Sequence, residues 1–422
     1  MTQHEGMLSD IEHIQVDYAR DRYAGHPRQG GIFNYGGGEI AILYNRAPCA
    51  YRVRTDISHS GLNGYISRAQ VILARSYDYG RTWERGNDQV VFDHTAPADA
   101  RRAWVLQGED DLTAQRARID LTARDTATAP EAKSAPRIVR EQIDLRAHDT
   151  AIYFGRTHFG EADLPVELGL SFSLRSRDRG KTWEKTPTPV HPPAGYAWVH
   201  KDGHPLVQMP DGTQLAAMTV QRRDGLGGVH LYGSDDNGLS WEPLARIASD
   251  PTGDGRPTYA GLLLLPSGRL QAYTLHINGW RDAIQMNYSD DGGYSWSEPK
   301  PIVRWGQSPW VSRRSANHDS HGPTGKFYRS PWPLRLADGR TIVIFGRRKL
   351  PYGMGVIISE DDGQTWSPEQ VLRADAATPD LGYPVATEVA AGRIFTAFYY
   401  TLDDGNGFGG TRFIAGSAFT VR

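Results

Sequence analysis

SEDDGQTW, residues 359–366, has four companions in the same chain: SYDYGRTW at 76–83, SRDRGKTW at 176–183, SDDNGLSW at 234–241 and SDDGGYSW at 289–296. All five read Ser-x-Asp-x-Gly-x-Ser/Thr-Trp. Apolar or β-branched runs precede them, such as AQVILAR before Ser76, GVHLYG before Ser234 and GMGVII before Ser359. Runs of this length and composition are strands. The Asp carboxylate can accept hydrogen bonds from turn amides, and the Gly tolerates positive φ. The hydroxyl residue and the Trp then reopen a strand, with the indole as packing anchor. Each copy is therefore expected to be a hairpin turn with a structural role.

A second turn recurs upstream. It reads PDG at 210–212, PSG at 266–268 and ADG at 337–339, with looser versions AAG at 390–392 and GGG at 36–38. Each lies between apolar runs. The unit is then strand A, Gly turn, strand B, loop, strand C, Asp-containing turn, strand D. Four antiparallel strands recurring every ~40–50 residues predict an all-β fold, a six-bladed β-propeller. The first serines of the octapeptides lie 100, 58, 55 and 70 residues apart. The sixth unit, from GYPVATEVAAGRIFTAFYY to TRFIAGSAFTV, lacks the octapeptide and holds three strands. HIQVDYAR (13–20) alternates and is expected to supply its fourth, closing the ring. The long first interval predicts an insertion at about 95–145, within one propeller domain spanning 1–422; a degenerate seventh blade is the alternative.

Composition narrows the function classes. The chain has 422 residues, 39% hydrophobic and 23% charged, with a formal net charge of -2. That is enough chain for a large core and no broad basic surface for nucleic acid. The single cysteine, Cys49, excludes an internal disulfide framework and a Cys-rich zinc site. No cofactor motif occurs: GGG at 36–38 is a turn, because no Lys-Ser/Thr follows it. HDSH at 318–321 is read as a polar loop rather than a metal site. No apolar stretch is long enough to span a membrane. MTQHEGMLSDIEH carries no apolar run, so a cytoplasmic location is expected, or a secreted or periplasmic one if a leader has been removed. Oligomeric state is not readable.

Strand direction alternates, so the A–B and C–D turns share one face. Those turns are short and stereotyped. The long, varied connections lie on the other face, where sites are built. Strand A starts on that face carry His26, Arg28, His148, Asp149, His200, Asp202, His204, Arg256, Tyr259, Tyr328, Arg329, Asp380 and Tyr383. Strand B ends add Arg46, Arg222, His276, Arg347 and Tyr399. Arginine forks grip carboxylates, and Tyr and His transfer protons. A central funnel so lined suits an anionic, hydroxyl-rich ligand.

The octapeptide with its Trp resembles the Asp-boxes of the sialidase (neuraminidase) superfamily of propellers, over nearly the whole chain. The resemblance implies a glycan-active propeller. It places the superfamily's blade-five arginine at Arg329 in FYRSPW and its nucleophilic tyrosine at Tyr383 in GYPVATEVAAG. It places the acid/base aspartate at Asp56, with His59 nearby, in the loop after strand B of blade one. Three matches fail. The opening Arg-Ile-Pro motif is absent, leaving only Arg28 in HPRQGG. The blade-four Asn-Glu pair is replaced by RPTYAG. His276 stands where that blade's strand B ends in arginine. The scaffold is kept and the substrate changed.

The leading expectation is a glycoside hydrolase of sialidase-like fold, cleaving an anionic sugar from an oligosaccharide or polysaccharide, probing chain ends. Its catalytic candidates are Asp56, Tyr383 and His204. Its substrate-binding candidates are His26, Arg28, Arg46, His59, Asp202, Tyr259, His276, Tyr328, Arg329 and Arg347, with no metal. A polysaccharide lyase acting on a uronate by β-elimination is the alternative, and a non-catalytic glycan-binding propeller the third.

Overall fold

The structure, a computed structural model, describes residues 6–59, 63–84, 86, 88–108, 142–157, 169–249, 255–277, 282–304 and 327–422. Six antiparallel sheets make up the propeller. Blade four shows the plain unit: strands Arg256–Leu264, Leu270–Ile277, Ala283–Ser289 and Lys300–Arg304, paired in sequence order. Blade five repeats it with Tyr328–Arg335, Thr341–Arg347, Gly353–Ser359 and Gln370–Arg373. Blade six runs Gly382–Ala390, Arg393–Leu402 and Thr411–Val421, and its fourth strand is Leu8–Asp17 from the chain start. Leu8 faces Val421 and His13 faces Ser417, so the ring closes as expected, five residues earlier in the chain than HIQVDYAR suggested. Six sheets among the described residues answer the seventh-blade alternative.

Alternation buries both faces of the middle strands. Strand B of blade five (TIVIFGR) is buried throughout, as is strand B of blade one over residues 39–45. The largest apolar cluster runs across blades one, five and six, joining Ile42, Ile72, Ile344, Val356, Phe395 and Phe419. Burying one such side chain is worth about 2 kcal/mol, so the seam carrying the two chain ends is well packed.

Each octapeptide is the expected turn. In SEDDGQTW, Ser359 Oγ donates to Asp361 Oδ1 at 2.8 Å and the Gly363 amide donates to Ser359 Oγ at 2.8 Å. The Thr365 amide and hydroxyl donate to the two Asp361 oxygens at 2.8 and 2.5 Å. Trp366 Nε1 caps the Gly363 carbonyl at 3.2 Å. The turn demands more than its glycine: the preceding position is also left-handed, at Tyr79, Arg179, Asn237, Gly292 and Asp362.

Blade two departs from expectation. Its sheet has three strands, Ala151–Arg156, Ser171–Ser176 and Thr188–Val190. Ala151–Arg156 pairs with the strand leading into the octapeptide and is therefore strand B. His148 and Asp149 thus open strand B, not strand A. They lie in the turn on the Asp-box face, where Arg179 Nε donates to Asp149 Oδ1 at 2.6 Å. Part of the expected insertion is helical, over residues 98–108. Its Trp104 packs on Phe92 and Phe172 at ring distances of 5.9 and 5.1 Å. Residues 109–141 and the HDSH stretch lie outside the described residues.

Candidate functional site

Strand A interrupts itself in five blades, and in blades one, four, five and six a residue of the candidate site lies at or beside the break. In blade one, Arg22–Gly25 gives way to a 3-10 turn, Pro27–Gln29, before Ile32–Gly36. In blade three, Trp198–Val199 and Val207–Gln208 both pair with strand B, and the His200 amide still donates to the Thr219 carbonyl before the chain leaves the ladder. Blades four, five and six shift register between Thr258 and Gly261, Arg329 and Trp332, and Gly382 and Val385. Non-glycine residues at positive φ mark four of these breaks: His26 (61°), Tyr259 (53°), Ser330 (37°) and Tyr383 (55°). Such a conformation costs about 1–3 kcal/mol each, and bulges of this kind re-aim side chains. A sequence signal was available: proline follows His26, Ser330 and Tyr383, and proline disfavours the right-handed helical region for the residue before it.

Tyr383 O–H donates to Tyr259 Oη at 3.0 Å. The His26 ring stands 4.9 Å from the Tyr383 ring and 4.8 Å from the His59 ring, edge to face with both. His26 Nδ1 pairs with the Tyr65 hydroxyl, and Tyr65 stacks on Tyr23 at 3.7 Å. The Tyr23 hydroxyl meets His59 Nε2 at 3.0 Å. Asp380 Oδ1 lies 3.8 Å from that nitrogen. Asp380 also accepts from Tyr399 Oη at 2.6 Å and from Arg412 Nε at 3.3 Å. Arg348 Nη2 donates to Tyr399 Oη at 3.0 Å and to the Leu381 carbonyl at 2.8 Å.

Arg329 differs from these neighbours. Its Nε and Nη1 are buried and find no acceptor among the described residues. Gly346 and Gly382 line its stem; a Cβ on Gly382 would stand 2.9 Å from the Arg329 Cβ. Buried guanidinium donors without acceptors are costly unless a ligand supplies them. Arg348 and Arg412 act on the Asp380 carboxylate, and Arg329 adds a third guanidinium beside Arg348.

Electrostatics follow from this crowding. Burial alone would raise the Asp380 carboxyl, but His59, Arg412, Arg348 and the Tyr399 hydrogen bond hold it well below the usual carboxylate range. Burial lowers His59, Asp380 opposes that, and Arg348, Arg412 and Arg329 add to the lowering. Burial also drives His26 well below 6.5 and Lys201, in the blade-three break, down to about 7.

Of the residues expected on this face, His26, His59, Tyr259, Arg329, Asp380, Tyr383 and Tyr399 converge here. Others are placed elsewhere. Arg28 is fully buried and donates to the carbonyls of Asp202, Tyr259, Ala260 and Pro331, stitching blade one to blades three, four and five. Asp202 holds the Thr219 amide and hydroxyl at 3.0 and 2.5 Å. His204 Nε2 bonds the Ile152 carbonyl at 3.1 Å, between the rings of Phe33 and Phe154. Asp56 accepts from the amides of Arg52 and Val53 and faces Arg68, tying its own loop. Arg46 pairs with Asp88 and Asp17 in the cleft between blades six and one. Tyr328 packs on Phe345 in the core between blades four and five, and Lys349 reaches its hydroxyl. Arg347 is held by Glu369 at 2.5 Å. His276 is the last residue but one of strand B of blade four, opposite Pro257 and Ala283.

Arg348, Arg412, Tyr23 and Tyr65 were missed. Arg348 is the neighbour of a chosen residue: successive strand side chains point to opposite faces, and one step exchanges them. Arg412 sits in strand C, which is not a funnel strand, and reaches Asp380 through its side-chain length.

Comparison with known proteins agrees with the fold. Residues 168–396, just over half of the chain, match the BNR repeat-like domain. No curated protein matches the chain. A protein of unknown function from Dyadobacter fermentans DSM 18053 superposes with TM-score 0.64 at 20% identity, covering 98% of this chain and 99% of that one. The Hadza microbial sialidase Hz136 gives TM-score 0.55 at 15% identity, over 94% of this chain and 66% of that one. Trypanosoma rangeli sialidase with 2,3-difluorosialic acid gives 0.54 at 12% identity, over 97% of this chain and 58% of that one. With the five Asp-boxes and six blades, the match establishes the chain as a member of the BNR repeat-like domain family, built as a sialidase-like propeller.

Proposed function

We propose that this chain hydrolyses a glycosidic bond at an acidic sugar of an oligosaccharide or polysaccharide. One observation carries the reading: the buried, acceptor-less Nε and Nη1 of Arg329 next to the Tyr383–Tyr259 pair. A guanidinium fork of this kind takes a carboxylate. The sugar carboxylate on Arg329 brings the adjoining carbons of its ring to Tyr383. The Tyr383 hydroxyl donates to a phenol rather than to a carboxylate. That suits Tyr383 to give a proton to the departing oxygen rather than to attack as a nucleophile. The sialidase-like fold of the neighbours supports a glycan substrate.

A second reading is β-elimination, favoured by the same pairing. A carboxylate neutralised by Arg329 acidifies the C–H beside it, and a phenol can protonate the leaving oxygen. One assay separates the two. The protein is incubated with sialylated and uronate-containing oligosaccharides, and reducing sugar and absorbance near 235 nm are both followed. Reducing sugar alone supports hydrolysis. New absorbance supports elimination. No product from any acidic glycan, with binding retained, would make the propeller a glycan-binding module.

A further inference from the structure

We propose that His59, oriented by Asp380, is the base of this site, taking its proton through Nδ1. The inference rests on the reading above and adds the group that Tyr383 lacks.

His59 lies just past the 3-10 turn Arg54–Ile57, in the long loop after strand B of blade one. Its two nitrogens are in unlike places. Nε2 faces the Tyr23 hydroxyl at 3.0 Å and Asp380 Oδ1 at 3.8 Å. No partner is found for Nδ1 among the described residues, and the side chain is 39% exposed while its partner carboxylate is 11% exposed. The Asp380 charge, 3.8 Å away and beyond hydrogen-bond distance, favours the tautomer protonated at Nε2, with the Tyr23 oxygen as its acceptor. Nδ1 then carries the lone pair. Asp380 is itself fixed by Tyr399 and Arg412, so its position does not depend on His59. It does not exchange a proton in this scheme; it is a positioning residue.

The groups facing His59 come from several elements. Tyr23 and His26 lie on blade one, with Tyr65 on the 3-10 turn Tyr65–Arg68. Asp380 precedes strand A of blade six, and Arg329, Arg348 and Arg412 act on the imidazole from blades five and six. Burial and the three arginines outweigh Asp380, so the resting imidazole is neutral at neutral pH, as a base must be. The His26 ring stands between His59 and Tyr383.

In a turnover, the water O–C bond forms as the glycosidic C–O bond breaks. One water proton passes to His59 Nδ1, and the Tyr383 phenolic proton passes to the departing oxygen. The imidazolium then loses its proton to solvent and the Tyr383 phenolate regains one from solvent, restoring both groups. Nothing is oxidised or reduced.

The test uses the full chain with 15N-labelled histidine, in wild type, His59→Gln and Asp380→Asn, each checked by thermal melting. The His59 resonances are those lost in His59→Gln. The expected result is a neutral ring protonated at Nε2, with a pKa below 6.5 that falls further in Asp380→Asn. A ring protonated at Nδ1, or a pKa unmoved by Asp380→Asn, overturns the proposal without any substrate being known. Should Asp380→Asn fail to fold, the wild-type tautomer alone decides. On any acidic glycan that the wild type cleaves, His59→Gln loses about 10²–10⁴-fold in kcat, and wild-type kcat/KM rises with pH through the His59 pKa. Wild-type-like turnover by His59→Gln overturns the proposal while leaving the function standing. Failure of the wild type on every acidic glycan instead removes the function reading.

Discussion

Tyr259 and Tyr383, 124 residues apart in the chain, meet hydroxyl to hydroxyl at 3.0 Å across the funnel. Both stand at left-handed breaks of strand A, in blades four and six, on either side of the arginine-bearing blade five. Removing the donor of this pair should cost more than removing the acceptor. Tyr383→Phe is expected to lower kcat about 10³-fold and Tyr259→Phe about 10-fold, with Tm unchanged in both. Steady-state kinetics beside melting curves check this; equal effects would mean that Tyr383 is not the proton donor.

Arg329→Lys keeps the charge and removes the fork. It is expected to lower kcat/KM about 100-fold on an acidic glycan while changing little for the matching neutral glycoside or methyl ester. A uniform loss on both substrates would show that Arg329 supports the fold rather than the ligand.

Arg28→Met leaves four backbone carbonyls without their donor. The side chain is fully buried, and burial lowers its pKa to about 10. A loss of about 3–5 kcal/mol is expected in urea unfolding, the scale for breaking a buried charged network. A loss under 1 kcal/mol would show that the blades hold together without it.

Acid should weaken the fold through His204, whose pKa burial pushes down to about 4. The unfolded chain then binds its proton first, near pH 6.5. The stabilisation is complete above that pH and is lost as pH falls towards 4, roughly 3 kcal/mol in all. Urea unfolding at pH 7.5 and 4.5 measures it. In His204→Phe the difference between the two pH values should shrink; an unchanged difference would assign the acid sensitivity elsewhere.

The Asp-boxes predict stability without activity. Asp178 accepts from the Thr182 amide and hydroxyl and from Ser176 Oγ. Asp178→Ala is expected to lower Tm by about 1–2 °C, the shift that about 1–2 kcal/mol gives in a domain of this size. Specific activity of the folded fraction should stay at the wild-type level.

The repeats made the fold legible because each Asp-box is a local turn whose residues satisfy one another within eight positions. The closing strand was legible too, from a three-stranded last unit and an alternating segment at the start. Blade two was not, because Ala151–Arg156 follows no Gly turn and its octapeptide partner had to be recognised by pairing. Within the site, resemblance located Arg329 and Tyr383, and the funnel phase located His26 and Tyr259. It failed for Arg28 and Asp202, because a polar residue in a bulge serves the neighbouring backbone as readily as a ligand. It chose Arg347 over Arg348 because one-residue register is set by where a strand ends, and that depends on pairing.

Arg28 has a further consequence. Its guanidinium and the four carbonyls around it join blades one, three, four and five at one buried point. Four blades thus share a single tie, so loosening that one side chain is expected to loosen them together rather than one at a time.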